Sequence, residues 1–418
     1  MNQRLLFIVL ALLLLCLPAC STNDDDDDSA DGAADDDDDS GGEPDDDNDS
    51  ADDDDASPAD DDDDDTTPGE WPGDPWYGCT DEDIPADATV VTAFDLADQY
   101  YDGADDRRTI EAAVEFPAAA DWSQVTLRLE LSCPADGDCD NWDRFANLSL
   151  VENAGAKDET AFELWRYITP YNVGMCMLGD ITPFAAKLTG TKTIRSFVDT
   201  WVGPNSSGNG HGWRVTAKFI FHPAVKSEVP DQIVNVWPYH SIEVGNPDNP
   251  IDTQIGEQNL ALPATLSRAE LRVLVTGHGQ GNRDNCAEFC HLQQVIQVNG
   301  QSFPFDPWRS DCGFNPLGPE QSGTWKYQRN GWCPGAVVIP QVIDVLAALT
   351  AGTDNTFAYQ VWNEESALYE NTCRPGAGDE NNVCTECAFS SDPGNCDYDG
   401  GMHTMPVDNL TVQLLLWE

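Results

Sequence analysis

Positively charged side chains are scarce: 20 Lys and Arg stand against 76 Asp and Glu in 418 residues, a formal charge of −56. Nucleic acid and anionic membrane surfaces are therefore poor partners. Six histidines, at 211, 222, 240, 278, 291 and 403, form no His-x-His or His-x-x-x-His pair, so no catalytic metal is expected. No Gly-x-Ser-x-Gly elbow and no phosphate loop occurs, which removes support for serine hydrolase and nucleotide chemistry. Helical periodicity is nearly missing as well, since only Gln341 to Leu349 reads as a helix of any length.

A long apolar run is also lacking. Leu5 to Leu15, behind the single charge of Arg4, is too short to span a bilayer comfortably and ends at Leu17-Pro18-Ala19-Cys20. This pattern resembles a bacterial lipoprotein signal. Residues 1–19 are then removed, Cys20 carries lipid, and Ser21 rather than an aspartate after it favours the outer membrane. From Asp24 to Asp65 the chain is dominated by aspartate with no aromatic or large aliphatic residue, so it cannot bury a core. Residues 20–80 read as a disordered, charge-extended tether. No EF-hand ligand spacing argues for calcium there.

Cysteine is what the chain does hold. Fourteen residues, less Cys16 in the signal and Cys20 at the lipid site, leave twelve, an even number that reads as disulfides in an exported chain. About 340 residues follow the tether, enough for two domains. Strand-like runs recur at Thr89 to Phe94, Val125 to Leu131, Ala146 to Val151, Trp213 to Phe221, Ile233 to Trp237, Ala269 to Thr276, Val295 to Val298 and Leu410 to Trp417. The expected class is all-β: two antiparallel jelly-roll sandwich domains, 81–225 and 226–418, joined through the Pro- and charge-rich stretch His222 to Pro230. A Cys-rich insertion covers about 363–400, and its Cys384-Thr385-Glu386-Cys387 reads as disulfide-bonded rather than zinc-binding.

Four segments combine charge with an aromatic ring: Cys139-Asp140-Asn141-Trp142-Asp143-Arg144, Asp199-Thr200-Trp201, Cys286-Ala287-Glu288-Phe289-Cys290, and Arg329-Asn330-Gly331-Trp332-Cys333-Pro334-Gly335. Rings can stack on pyranose faces while carboxylates and guanidinium groups read hydroxyls and handle protons. Tyr167-Ile168-Thr169-Pro170-Tyr171, Cys312 with Asn315-Pro316, and Gly323-Thr324-Trp325 complete a series that runs in order along the chain.

In order and spacing this series resembles the peptide-N-glycosidase F family over most of residues 86–418. The resemblance implies an amidase that cleaves the bond between N-acetylglucosamine and asparagine without a cofactor. It implies that Asp143 is the principal catalytic carboxylate, that Glu288 helps to place water and sugar, and that Arg329 faces Asp143 across the domain interface. Asp199 stands where the family has glutamate, with Trp201 as a wall for the sugar. Trp142, Arg144, Ile168, Tyr171 and Trp332 are further candidates for the pocket. The pairs Cys133–Cys139, Cys286–Cys290 and Cys312–Cys333 also follow from the family pattern. Gly277-His278-Gly279 departs from it, because the family carries Trp where His278 stands.

The expected protein is thus a monomeric, lipid-anchored enzyme of the cell envelope whose partner is an N-glycoprotein or N-glycopeptide and which meets the membrane only through its anchor. The alternative is a catalytically weak glycan- or glycopeptide-binding surface lipoprotein on the same scaffold; the departures at Asp199 and His278 are its argument.

Overall fold

Alternation of apolar residues places the first strands. In Trp122–Ser132 the side chains of Val125, Leu127, Leu129 and Leu131 are buried, while Thr126 and Glu130 turn to the other face. The computed structural model describes residues 79, 84–119, 122–135, 137–223, 228–246, 249–279, 287–363, 365–370 and 406–418. The expected signal peptide, the lipid site at Cys20, the tether up to residue 78, Cys286 and residues 371–400 of the Cys-rich insertion lie outside them.

The described residues belong to one compact unit, Thr66–Glu418, and are built of antiparallel sheets. A four-stranded sheet runs in the order Thr89–Gln99, Trp213–Pro223, Trp122–Ser132, Met175–Asp180. It faces a five-stranded sheet whose order is Ala336–Val337, Thr160–Ile168, Phe145–Glu152, Gly190–Val198, Thr109–Phe116. Leu127, Leu129, Leu148, Leu150, Trp213 and Phe219 fill the space between them. A second pair of sheets follows. One is Gln232–Glu243, Val407–Trp417, Arg268–His278, Gln341–Asp344; the other is Gln258–Ala261, Asp354–Trp362, Gln293–Val298, Gln301–Phe305. Trp237, Leu271, Val273, Ile296, Phe357 and Val412 form their core.

All eight strand-like runs read from the sequence are strands. The helix expected at Gln341 to Leu349 is not one. Gln341–Asp344 is an edge strand paired with Glu270–Val273, and only Leu346–Ala348 makes a single 3-10 turn. The β-branched Val342, Ile343 and Val345 resist helix packing and suit a pleated edge, and the neighbouring strand supplies the hydrogen bonds.

Two central strands are buried on both faces, Phe145–Glu152 and Val407–Trp417. The reason is a polar seam between the sandwiches. Glu163 and Arg166, on the five-stranded sheet, pair at 2.7 Å with both side chains buried. Arg166 donates to the carbonyl of Asn409 and to Thr411 Oγ1, and Arg272 donates to the carbonyls of Glu163 and Leu164 at 3.1 and 3.0 Å. A burial this polar holds only because nearly every donor meets an acceptor. The second half also lends a strand to the first: Ala336 pairs with Ile168 and Val337 with Tyr167. That crossing brings the segment Arg329 to Gly335 beside Asp143.

Candidate active site

The turn before strand Phe145–Glu152 is set by Asp140, whose side chain is fully buried. Its carboxylate accepts from Arg144 Nε and Thr200 Oγ1, each at 2.7 Å, and from the Trp142 backbone N–H at 3.1 Å. Thr169, also buried, adds a hydrogen bond to each side of the turn, donating to the Trp142 carbonyl and accepting from the Arg144 N–H. Arg144 therefore hydrogen-bonds Asp140 rather than its chain neighbour Asp143. Asp143 is left for other partners: its Oδ2 accepts from the Tyr171 hydroxyl at 2.8 Å and lies 3.9 Å from Arg329 Nη2. The Asp143 side chain remains 16% exposed, so one edge of the carboxylate faces the opening.

Arg329 is fully buried, and each guanidinium nitrogen has a partner. Nε donates to Glu288 Oε1 at 3.0 Å, Nη1 to the Tyr327 carbonyl at 2.8 Å, and Nη2 to Thr324 Oγ1 at 2.8 Å. Its plane lies over the rings of Phe289 and Trp332, at 4.9 and 4.7 Å to the centroids. The strand Arg329–Asn330 pairs with Trp308–Arg309, and the Asn330 N–H donates to the Glu288 carbonyl, so Glu288 and Arg329 are fixed to each other through backbone as well as side chain. Gly331 follows at φ +88°, and a Cβ there would come within 2.2 Å of the Val275 carbonyl oxygen. Only glycine allows this approach. Trp332 is then pinned by its indole N–H on the Gly277 carbonyl at 2.7 Å and by the Cys312–Cys333 disulfide next to it.

Burial raises the pKa of Asp143 above the ordinary carboxylate range even though Arg329 and the Tyr171 hydroxyl pull it down. Burial likewise pushes Glu288 up to about 7, with Arg329 opposing and Asp143 adding to the rise. Two carboxylates thus share one buried guanidinium, and their titrations are coupled. Tyr171 is raised by burial and by the Asp143 charge, so it stays a hydrogen-bond donor. His278 is held down to about 3 by burial and by Arg166 and Arg329, so its imidazole is neutral.

A cleft of about 340 Å³ opens here, with Asp143, Arg144 and Asp199 on one wall and His278, Ser241 and Asn409 on the other. Asp199 is raised by burial against the pull of Arg144 and Arg108. Trp142 and Trp201, 51% and 53% exposed, stand on the chain segments that carry Asp143 and Asp199. Ile168 and Trp332 are placed differently from the rest: both are buried with Phe145, Leu274 and Val338, so they support the cleft from beneath and offer no face to a ligand. A larger hollow of about 470 Å³ beside the Cys79–Cys176 disulfide contains Arg128 and Glu130 already paired at 3.3 Å, and it gathers no comparable set of groups.

The bridges Cys133–Cys139 and Cys312–Cys333 are present. Cys290 is disulfide-bonded; Cys286 lies outside the described residues. Among the described residues no group of three or more His, Cys, Asp or Glu side chains could hold a metal ion. Sequence reading passed over Asp140 and Thr324. Each sat in a string already singled out, but nothing local marks Asp140 as the partner of Arg144 or Thr324 as a bridge between Tyr171 and Arg329, where its hydroxyl lies 3.0 Å from the one and 2.8 Å from the other.

The family model for the C-terminal part of peptide-N-glycosidase F matches residues 248–381. Over 293 residues the chain is 30% identical to peptide-N(4)-(N-acetyl-beta-D-glucosaminyl)asparagine amidase F of Elizabethkingia miricola, covering 66% of this chain and 78% of that protein. The solved structure of PNGase F, a glycosylasparaginase from Flavobacterium meningosepticum, superposes with a TM-score of 0.61 at 20% identity, over 79% of this chain and 96% of that one. PNGF-II superposes with a TM-score of 0.58 at 16% identity, over 79% of this chain and 65% of that one. The structural likenesses concern the fold.

Proposed function

The chain belongs to the peptide-N-glycosidase F family, and from that premise we propose that it hydrolyses the β-aspartylglucosaminyl amide of N-glycoproteins or N-glycopeptides. Water adds to the carbonyl carbon of the asparagine side chain, and Asp143 takes the proton it loses. The C–N bond breaks and that proton passes to the departing nitrogen. The peptide keeps an aspartate; the sugar leaves as a glycosylamine, which decomposes to free glycan and ammonia. One amide and one water give one carboxyl and one amine.

The observation that carries this reading is the chain of contacts Tyr171–Asp143–Arg329–Glu288 at the edge of an open cleft. Tyr171 occupies one oxygen of Asp143 and orients the carboxylate. Arg329, enclosed and fully partnered, acts as a fixed positive charge that keeps Asp143 ionised against its burial. Glu288 balances that charge, and its pKa, pushed up to about 7 by burial, couples its protonation to that of Asp143. The exposed rings of Trp142 and Trp201 suit stacking on sugar, and Asp199 and Arg144 suit its hydroxyls.

Incubating the protein with a defined N-glycopeptide and weighing the products tests the reading. Free glycan together with a peptide containing Asp in place of Asn is the expected result. A peptide retaining one sugar on Asn would mark an endoglycosidase, and no release at all would leave the glycan-binding alternative. The proposal extends to the anchor: acylation at Cys20 would place the protein in the membrane fraction, and Cys20→Ala would release it.

A further inference from the structure

Arg108 lies between the short ladder Tyr101–Asp102 with Asp105–Asp106 and the strand Thr109–Phe116. Its side chain is 20% exposed. The guanidinium lies over the Trp201 ring at 4.2 Å from the centroid and over the Tyr101 ring at 4.8 Å. Nη1 is 3.8 Å from Asp199 Oδ1, while Nε and Nη2 fork onto Asp106 at 3.0 and 2.6 Å. The backbone of Arg108 joins the same group: its carbonyl accepts from the N–H of Val198, the residue before Asp199, and from the buried Gln99 side chain, each at 2.9 Å. One residue therefore touches both functional side chains of Asp199-Thr200-Trp201 and the backbone that leads into them.

From this arrangement we infer that Arg108 is a positioning residue that locks Trp201 and Asp199 into one preformed platform for a neutral pyranose ring. The inference rests on the reading of the cleft as a saccharide site. A guanidinium can stack on a ring and attract a carboxylate at the same time, which an ammonium cannot. Trp201 is half exposed and meets the Tyr101 ring at 5.3 Å between centroids; Arg108 lies over both rings, so its loss loosens the pair that holds Trp201 in the orientation a sugar needs. Freezing one such side chain in advance is worth roughly a two- to twelve-fold gain in affinity. Burial raises the pKa of Asp199 and Asp140 adds to the rise, while Arg144 first, then Arg108 and the Trp201 hydrogen bond, lower it, so loss of Arg108 removes part of that opposition and lets Asp199 take up a proton at higher pH.

The test uses the full chain and the variants Arg108→Ala and Arg108→Lys, with two readouts: kcat and KM on a defined N-glycopeptide, and calorimetric affinity for the free disaccharide of β1,4-linked N-acetylglucosamine. Arg108→Ala is expected to raise both KM and the disaccharide Kd roughly two- to twelve-fold with kcat essentially unchanged. Its KM should also begin to rise at a higher pH on the acid side than that of the wild type. Arg108→Lys, which keeps the charge but loses the flat stack, should recover only part of the loss. Should Arg108→Ala not fold, Arg108→Lys carries the test, because losing the stack alone must raise KM. Unchanged KM and Kd in a folded variant would overturn the inference, as would a fall in kcat and thermal stability with KM unmoved, which marks mere support of the fold. If the wild type binds the disaccharide without cutting the glycopeptide, and Arg108→Ala weakens that binding, the amidase reading falls and the role of Arg108 stands. If the wild type neither binds nor cuts, both fall.

Discussion

A general base has to be ionised and yet poorly solvated, and the surroundings of Asp143 balance those demands. Burial pushes its pKa above the ordinary carboxylate range, and the Arg329 charge and the Tyr171 hydroxyl limit that rise. Replacing it by Asn keeps the shape and removes the base, so Asp143→Asn should lower kcat by roughly 10²–10⁴ without lowering the melting temperature. Near-normal turnover of a defined glycopeptide would reject the assignment. Glu288 makes a prediction of a different kind. Its folded pKa is raised from the ordinary 4.5 to about 7, so the folded protein holds a proton that the unfolded chain gives up earlier. The stability this contributes is complete below pH 4.5 and is lost as pH rises through about 7. The change amounts to roughly 3 kcal/mol. Buried Asp408, also pushed up to about 7, titrates in the same window, so the effect is read as a difference. Between pH 5 and pH 8 the stability of the wild type should fall more steeply than that of Glu288→Gln, and parallel curves would contradict the account. The family resemblance put Arg329 opposite Asp143, but nothing in the sequence marked the Tyr171 hydroxyl as the donor to Asp143 or Glu288 as the ion-pair partner of Arg329. Arg144 adjoins Asp143 in the chain and pairs instead with Asp140, because the turn brings residue 140 under the guanidinium; such a choice depends on backbone course and not on residue type.

Among the elements, the decisive one is the short segment Arg329 to Gly335, which has too little regular structure to be read as a strand or a helix. Its position comes from three separate devices: pairing with Trp308–Arg309, the Cys312–Cys333 bridge, and pairing of Ala336–Val337 with the edge of the first sandwich. Gly331, in the middle of the segment, permits its close approach to the Val275 carbonyl. Gly331→Ala should therefore cost on the order of 1–3 kcal/mol in urea unfolding. At a temperature where it is folded its kcat should still fall, because Arg329 and Trp332 lie on either side of it. A variant with wild-type stability and turnover would show that the approach is not needed. Alternation made the longer strands legible, as at Val125 to Leu131, and the same cue failed where a strand is short or polar. In Gly190–Val198 the residues Thr191, Lys192 and Thr193 hide the pattern, and at Gln341 to Leu349 a short apolar stretch looked helical although its β-branched residues pair with a neighbour.

On the scale of the whole molecule, the cleft exists because two sandwiches meet along the polar seam of Glu163, Arg166, Arg272, Thr411 and Gln413. The class and the series of motifs were legible in the chain, whereas this seam was not: no motif marks Glu163 or Arg166, and the partners of Arg166 at Asn409 and Thr411 lie far along the chain. Removing Arg166 takes away the ion-pair partner that forks onto Glu163 at 2.7 and 2.8 Å and leaves only the more distant Arg272 to offset its buried charge. Arg166→Met should thus lower stability by roughly 3–5 kcal/mol, seen as a large drop in the denaturant midpoint; an unchanged midpoint would mean that the seam adds nothing to the fold. The central claim is that this cleft directs water onto the asparagine side-chain carbonyl through Asp143. The most direct measurement is a reaction in heavy-oxygen water with a single defined N-glycopeptide, followed by mass spectrometry of the peptide, for the wild type and Asp143→Asn. The account predicts one heavy oxygen in the new aspartate side chain with the wild type and no conversion with the variant. Glycan release that leaves asparagine intact, or equal labelling by the variant, would contradict it.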